Sequence, residues 1–106
     1  MIGLLMMLAA TEKTYDSYMT GNTLLAMCET DKNTCTAYIG GVTDFLELMQ
    51  SRGDLSQKVC IPSASDLGQL ADVVIKALRA DPAKRHEGAA GLAAVALADT
   101  FPCAKP

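Results

Sequence analysis

Apolar residues between Cys35 and Arg52 recur at Tyr38, Ile39, Val42, Phe45, Leu46 and Met49. That is the i, i+3, i+4, i+7 rhythm of one helix face, and it predicts an amphipathic helix over 35–52. Gly53 follows, and a glycine just past a helix is a common stop. A second apolar face runs through Leu67, Leu70, Ala71, Val74, Ala77 and Leu78. Asp66 and Gln69 at its start form a capping-box-like pair, with Asp in place of the usual Ser or Thr. Asp81-Pro82 then reads as a fresh helix start, Asp as cap and Pro at the first helical position. That last helix reaches about Thr100, turns Leu92, Val95 and Ala96 inward, and stops before Pro102. Ahead of all three, a helix from about Thr14 to Cys28 places Tyr15, Tyr18, Leu25 and Cys28 near one face, with Met19 and Leu24 flanking. Gly21 and Asn22 fall in its middle, where both are poor helix formers. Either another backbone packs against Gly21, or the slack is tolerated.

No stretch alternates apolar and polar residues over a strand's length. Residues 29–34 read as a polar turn rich in Asp, Asn and Thr. Residues 54–65 form the longest loop, since Pro62 forbids a helix through it. The short connection at Asp81-Pro82 makes the last two helices antiparallel neighbours. The fold class is therefore all-α, a compact four-helix domain over residues 14–103.

The 106 residues include four cysteines, Cys28, Cys35, Cys60 and Cys103, and none forms a C-x-x-C pair. That spacing weakens a zinc site or a thioredoxin-like motif. An even count in a short chain favours two disulfides, and four cysteines allow three pairings. The helix layout selects among them. Cys28 ends one helix and Cys35 begins the next, so a short turn brings them together and leaves Cys60 with Cys103. Loop-closure entropy makes the two bridges worth about 2.5 and 4 kcal/mol, the longer ring giving the larger figure. The alternative is four buried thiols in a cytosolic protein. Residues 1–10, MIGLLMMLAA, are apolar and uncharged. They are too short to span a bilayer but fit the apolar core of a secretory signal, with Ala9 and Ala10 as cleavage residues. The usual positive residues in front are missing, so a buried helical turn is the other reading. Export and disulfides agree with each other. The net charge of −3 argues against nucleic-acid or anionic-membrane binding.

Six segments also occur, in order, in one family. GNTLLAMC (21–28) resembles its Gly-Asn-x-Leu-Leu-x-x-Cys, and CTAYIGGVTD (35–44) its Cys-x-x-Tyr-Ile-x-Gly-x-x-Asp. CIP (60–62), GQLADVVIKAL (68–78), DPAKRH (81–86) and ALADTFPC (96–103) follow. The chain thus resembles the Rap/Tai-type immunity proteins of bacterial type VI secretion systems over roughly residues 18–103. The resemblance implies a small helical periplasmic protein, often a homodimer. Its implied partner is a protein effector that attacks the cell wall, typically a peptidoglycan amidase. The matched segments are scaffold positions and name no particular effector.

Nothing in the residues calls for catalysis, a cofactor or a metal. His86 is the lone histidine, with no Ser or Cys nucleophile near it in sequence. It reads as a surface or capping residue in the first turns of the last helix, or as a partner contact. Lys76, Arg79, Lys84, Arg85 and His86 cluster around the turn between the last two helices. Cations suit the end of one helix but not the start of the next. Lys84 and Arg85 therefore mark a place to look for an acidic partner, a solvated basic face being the alternative. Loops carry binding residues more often than helix faces. The candidate contacts are thus Asp54 and Lys58 in the long loop, and Asp81, Pro82, Lys84, Arg85 and His86 at the turn, with Asp31 as a further exposed acid. The expected function is occlusion of a cell-wall hydrolase; the competing reading is a periplasmic interaction protein with no toxin.

Overall fold

Four α-helices carry the chain: α1 (Gly21–Thr30), α2 (Lys32–Ser51), α3 (Leu67–Ala80) and α4 (Ala89–Thr100), with a 3-10 turn at Pro82–Lys84 ahead of α4. The structure, a computed structural model, describes residues 17–104. Each helix packs on the other three. Leu24, Cys35, Ile39, Val74 and Leu97 are fully buried where they meet. From α4 the core takes mostly Ala89, Ala93, Ala96 and Ala98, so this helix lies close to its neighbours. No polar or charged residue is buried among the described residues.

Local chemistry explains most boundaries. The capping box of α3 forms as expected: the Gln69 backbone N–H donates to Asp66 Oδ1 (2.9 Å), and the Asp66 N–H donates to Gln69 Oε1 (2.8 Å). Gly53 follows α2 with φ +75°, the left-handed conformation that glycine adopts at no steric cost. The polar turn at 29–34 contracts to one residue, Asp31. Its backbone N–H caps α1 by donating to the Met27 carbonyl (2.7 Å). Its side chain caps α2 by accepting from the Thr34 N–H (3.2 Å) and hydroxyl (2.6 Å).

The starts of α1 and α4 depart from the sequence expectation, and they do so together. Ser17–Thr20 are not helical, and α1 begins at Gly21 with Thr20 as its cap. The reason is pairing with a distant segment. The Gly21 N–H donates to the Glu87 carbonyl (2.9 Å), Asn22 N–H to Arg85 (2.8 Å), and Ala89 N–H to Met19 (2.8 Å). A Cβ at Gly21 would stand 2.6 Å from Leu92 Cδ1 and 3.0 Å from the Arg85 carbonyl. Close approach of another backbone is thus the role of Gly21, at the mouth of the helix and not in its middle. The carbonyls of Arg85 and Glu87, turned toward α1, leave no helical ladder through residues 85–88. Helix α4 therefore opens at Ala89 and not at Pro82, and Asp81 makes no side-chain cap.

Several side chains expected in the core lie at the surface. Tyr18 is 94% exposed, and Val95, Leu67 and Phe45 are also exposed. Ile75 and Leu97 take core places instead. The helix expected from Thr14, Tyr15 with it, and the signal reading of residues 1–10 fall outside the described residues.

Both bridges pair as the helix layout requires, Cys28 with Cys35 (Cα–Cα 4.7 Å) and Cys60 with Cys103 (4.9 Å). The second fastens the long loop to the tail. Beside it the Cys60 N–H donates to the Phe101 carbonyl (2.8 Å), and Val59 forms an antiparallel bridge with Pro102. Gln50 at the end of α2 grips the same loop. Its Nε2 donates to the Val59 carbonyl (3.0 Å), and its Oε1 accepts the Val59 N–H (2.7 Å). Val59 is buried, so Gln50→Ala strands both backbone groups. We expect a loss of about 1–3 kcal/mol on urea unfolding; a midpoint equal to wild type would show that the clamp is idle.

Candidate functional site

The turn after α3 forms one wall of a cleft of about 620 Å³. Ala77, Leu78, Leu92 and Val95 give it apolar surface, and Asp81, Lys84, Arg85, Glu87 and Asp99 line it with charge of both signs. Arg85 is half-buried. Its carbonyl is held by Asn22, while its Nε is buried with no hydrogen-bond partner. A buried donor left unmatched costs about 1–3 kcal/mol, which makes Arg85 a place to look for a partner's acceptor. Pro82 and His86 are exposed on the same turn but do not line the cleft. Because α4 starts at Ala89, His86 lies ahead of that helix, as do Lys84 and Arg85. The unfavourable dipole expected for those two cations does not arise.

The five-residue basic cluster divides. Lys76 and Arg79 face away from the cleft and line a shallow depression with Glu29, Lys32 and Asp72. There Lys32 pairs with Asp72 (2.8 Å) and Arg79 with Glu29 (3.9 Å). Exposed pairs of this kind contribute about 0–1 kcal/mol each. Those residues belong to a solvated belt, and only Lys84 and Arg85 remain with the cleft.

The loop residues stand apart from the turn. Asp54 pairs with Arg52 (3.4 Å), and Lys58 is exposed. Their loop is tied to the segment that leaves α4, whereas the Asp81–His86 turn leads into that helix. A 12-residue helix, about 18 Å long, separates the two. The candidate contacts thus form two faces and not one. Asp31 lies outside both, between α1 and α2; hydrogen bonds from Thr34 hold its carboxyl below the usual range.

One surface had no counterpart in the sequence reading. An apolar groove of about 620 Å³ runs between α2 and α4, with Tyr38, Val42, Phe45 and Met49 on one side, Ala90 and Ala94 on the other, and Leu55 from the loop. Phe45 is 59% exposed, and Leu48 nearby on α2 is 50% exposed. The available signal was the small-residue run at 89–91 and 93–94, which gives α4 little bulk with which to cover a long apolar stripe.

Among the described residues no three His, Cys, Asp or Glu side chains gather as a metal ion would require. No described helix is long and apolar enough to cross a membrane. A family model for Rap1a immunity proteins matches residues 20–103, from the cap of α1 to the last bridging cysteine. No curated protein and no solved structure matches the chain.

Proposed function

The chain belongs to the Rap1a immunity protein family, and we propose that it protects its producer by binding a type VI secretion effector, a peptidoglycan amidase, and closing that enzyme's catalytic groove. The family is non-enzymatic, so protection is a matter of occupancy. The observation that carries this reading is the family match across all four helices and both bridges. Paired cysteines form and persist in oxidising compartments. This supports residence in the periplasm, where a cell-wall amidase would strike.

The contacts we assign are the turn with Asp81, Pro82, Lys84, Arg85 and His86, and as a second face Asp54 and Lys58. The turn combines an apolar floor with charged edges, the composition of an anchor pocket inside a polar rim. Reversing Lys84 and Arg85 to Glu should weaken effector binding by at least about tenfold, with slower association and an altered salt dependence. Titration calorimetry against an amidase encoded beside this chain measures it. Affinity unchanged by that pair and by Asp54→Ala with Lys58→Ala would remove both faces. The function itself is tested by co-expression: the exported chain should rescue cells from the periplasmic effector, and a version held in the cytoplasm should not.

A second copy of the chain is the occupant we assign to the α2–α4 groove. Its support is the homodimer implied by the Rap/Tai resemblance, together with large apolar side chains left uncovered on α2. Phe45→Glu places a charge on that face. It should convert a dimer to a monomer in light scattering coupled to gel filtration; a wild-type chain that is monomeric throughout removes the assignment.

A further inference from the structure

The two disulfides differ in what surrounds them. Cys28 and Cys35 are buried in the core between α1 and α2. Cys60 is exposed and Cys103 half-buried, on the loop and tail outside the helices. Thiol–disulfide exchange needs an attacking thiolate to reach a sulfur, so access sets which bridge opens first. We propose that Cys60–Cys103 is a redox-sensitive latch, opened by a dithiol reductant while Cys28–Cys35 stays closed.

The chemistry balances without another reactant. One thiolate of the dithiol attacks a sulfur of the bridge. The S–S bond breaks, and the departing cysteine leaves as a thiolate that takes a proton. The second thiol of the reductant, deprotonated, then attacks the mixed disulfide and releases the other cysteine, also protonated. Two electrons and two protons pass to the protein, and the reductant becomes a disulfide.

The latch governs the segment on which it sits. With the bridge open, Cys60 keeps one backbone bond to Phe101, next to the isolated Val59–Pro102 bridge. Two-residue pairing of this kind does not hold by itself in water. Gln50 still grips Val59, and Ile61 and Phe101 pack against the core, so the release is confined to the backbone beside the two cysteines. The α1–α2 core keeps its own bridge. The loop is therefore fully ordered only in oxidising surroundings, while the helices persist in both. This does not depend on which partner the chain binds.

The test treats the folded, unreduced protein with graded dithiothreitol, quenches with N-ethylmaleimide and maps the labelled cysteines by peptide mass. Cys60 and Cys103 should be labelled at least about tenfold faster than Cys28 and Cys35. At that stage the Cys60 amide should lose its hydrogen-exchange protection while Ile39 keeps its own. The double variant Cys60→Ala/Cys103→Ala should show the same local loss with no reductant present. Labelling of all four cysteines together, or of Cys28 and Cys35 first, overturns the proposal. So does residue-60 amide protection that survives in the double variant.

Discussion

Replacing Cys60 and Cys103 together by alanine should lower the stability of the fold by about 4 kcal/mol, because it releases a long ring in the unfolded chain. The loss is large beside a typical total of roughly 5–15 kcal/mol. For a chain of this size it corresponds to a fall in melting temperature of roughly 15–25 °C. The helical core contributes little to the difference: the bridge lies at the surface, its loss frees only the local loop and tail, and Gln50 keeps its two backbone bonds to Val59. Denaturation under non-reducing conditions measures the change. The variant's m-value should also rise, since an unfolded chain without the cross-link exposes more surface. A midpoint close to wild type would show that ring entropy is not what the bridge supplies.

The second large effect separates two residues that share a helix and an apolar stripe. Ile39→Ala should cost about 2–5 kcal/mol, since Ile39 is fully buried among all the helices and its loss leaves a cavity. Phe45→Ala, although it removes the larger side chain, should cost less than about 0.5 kcal/mol in dilute monomer, because the ring is already mostly in water. Urea unfolding of both variants at one low protein concentration decides it. Equal losses would mean that the outer half of α2 is covered within a single chain.

That contrast shows where sequence reading ends. Periodicity identified the apolar stripe of α2 correctly, but periodicity does not say what lies against it. With 20 residues α2 is about 30 Å long, while α1 and α4 reach only about 15 and 18 Å. Its far half outruns both and meets the loop at Leu46, Gln50 and Val59 instead, which leaves Phe45 and Leu48 exposed. The α3 capping box and the glycine stop after α2 were legible because each is made by neighbours in sequence. So was the cysteine pairing, once the helix ends were placed. The starts of α1 and α4 were not, because Met19–Asn22 and Arg85–Ala89 fix one another across most of the chain. Thr20 and Gly88, the true caps, carry no signal strong enough to override Asp81-Pro82. The basic cluster failed for a related reason. Lys76 and Arg79 share the α1-facing side of α3, and the turn then carries Lys84 and Arg85 round to another side, a rotation that proximity in sequence conceals.

Asp31 does the work of an entire connector: it closes one helix, opens the next, and lies inside the Cys28–Cys35 bridge. No spare residue is present at this junction. One added amino acid would separate the cap of α1 from the cap of α2 and lengthen the ring closed by Cys28 and Cys35. Residues 54–58, by contrast, form no helix, so the fold tolerates a change of length there. Related chains should therefore differ in length at the second site and agree at the first.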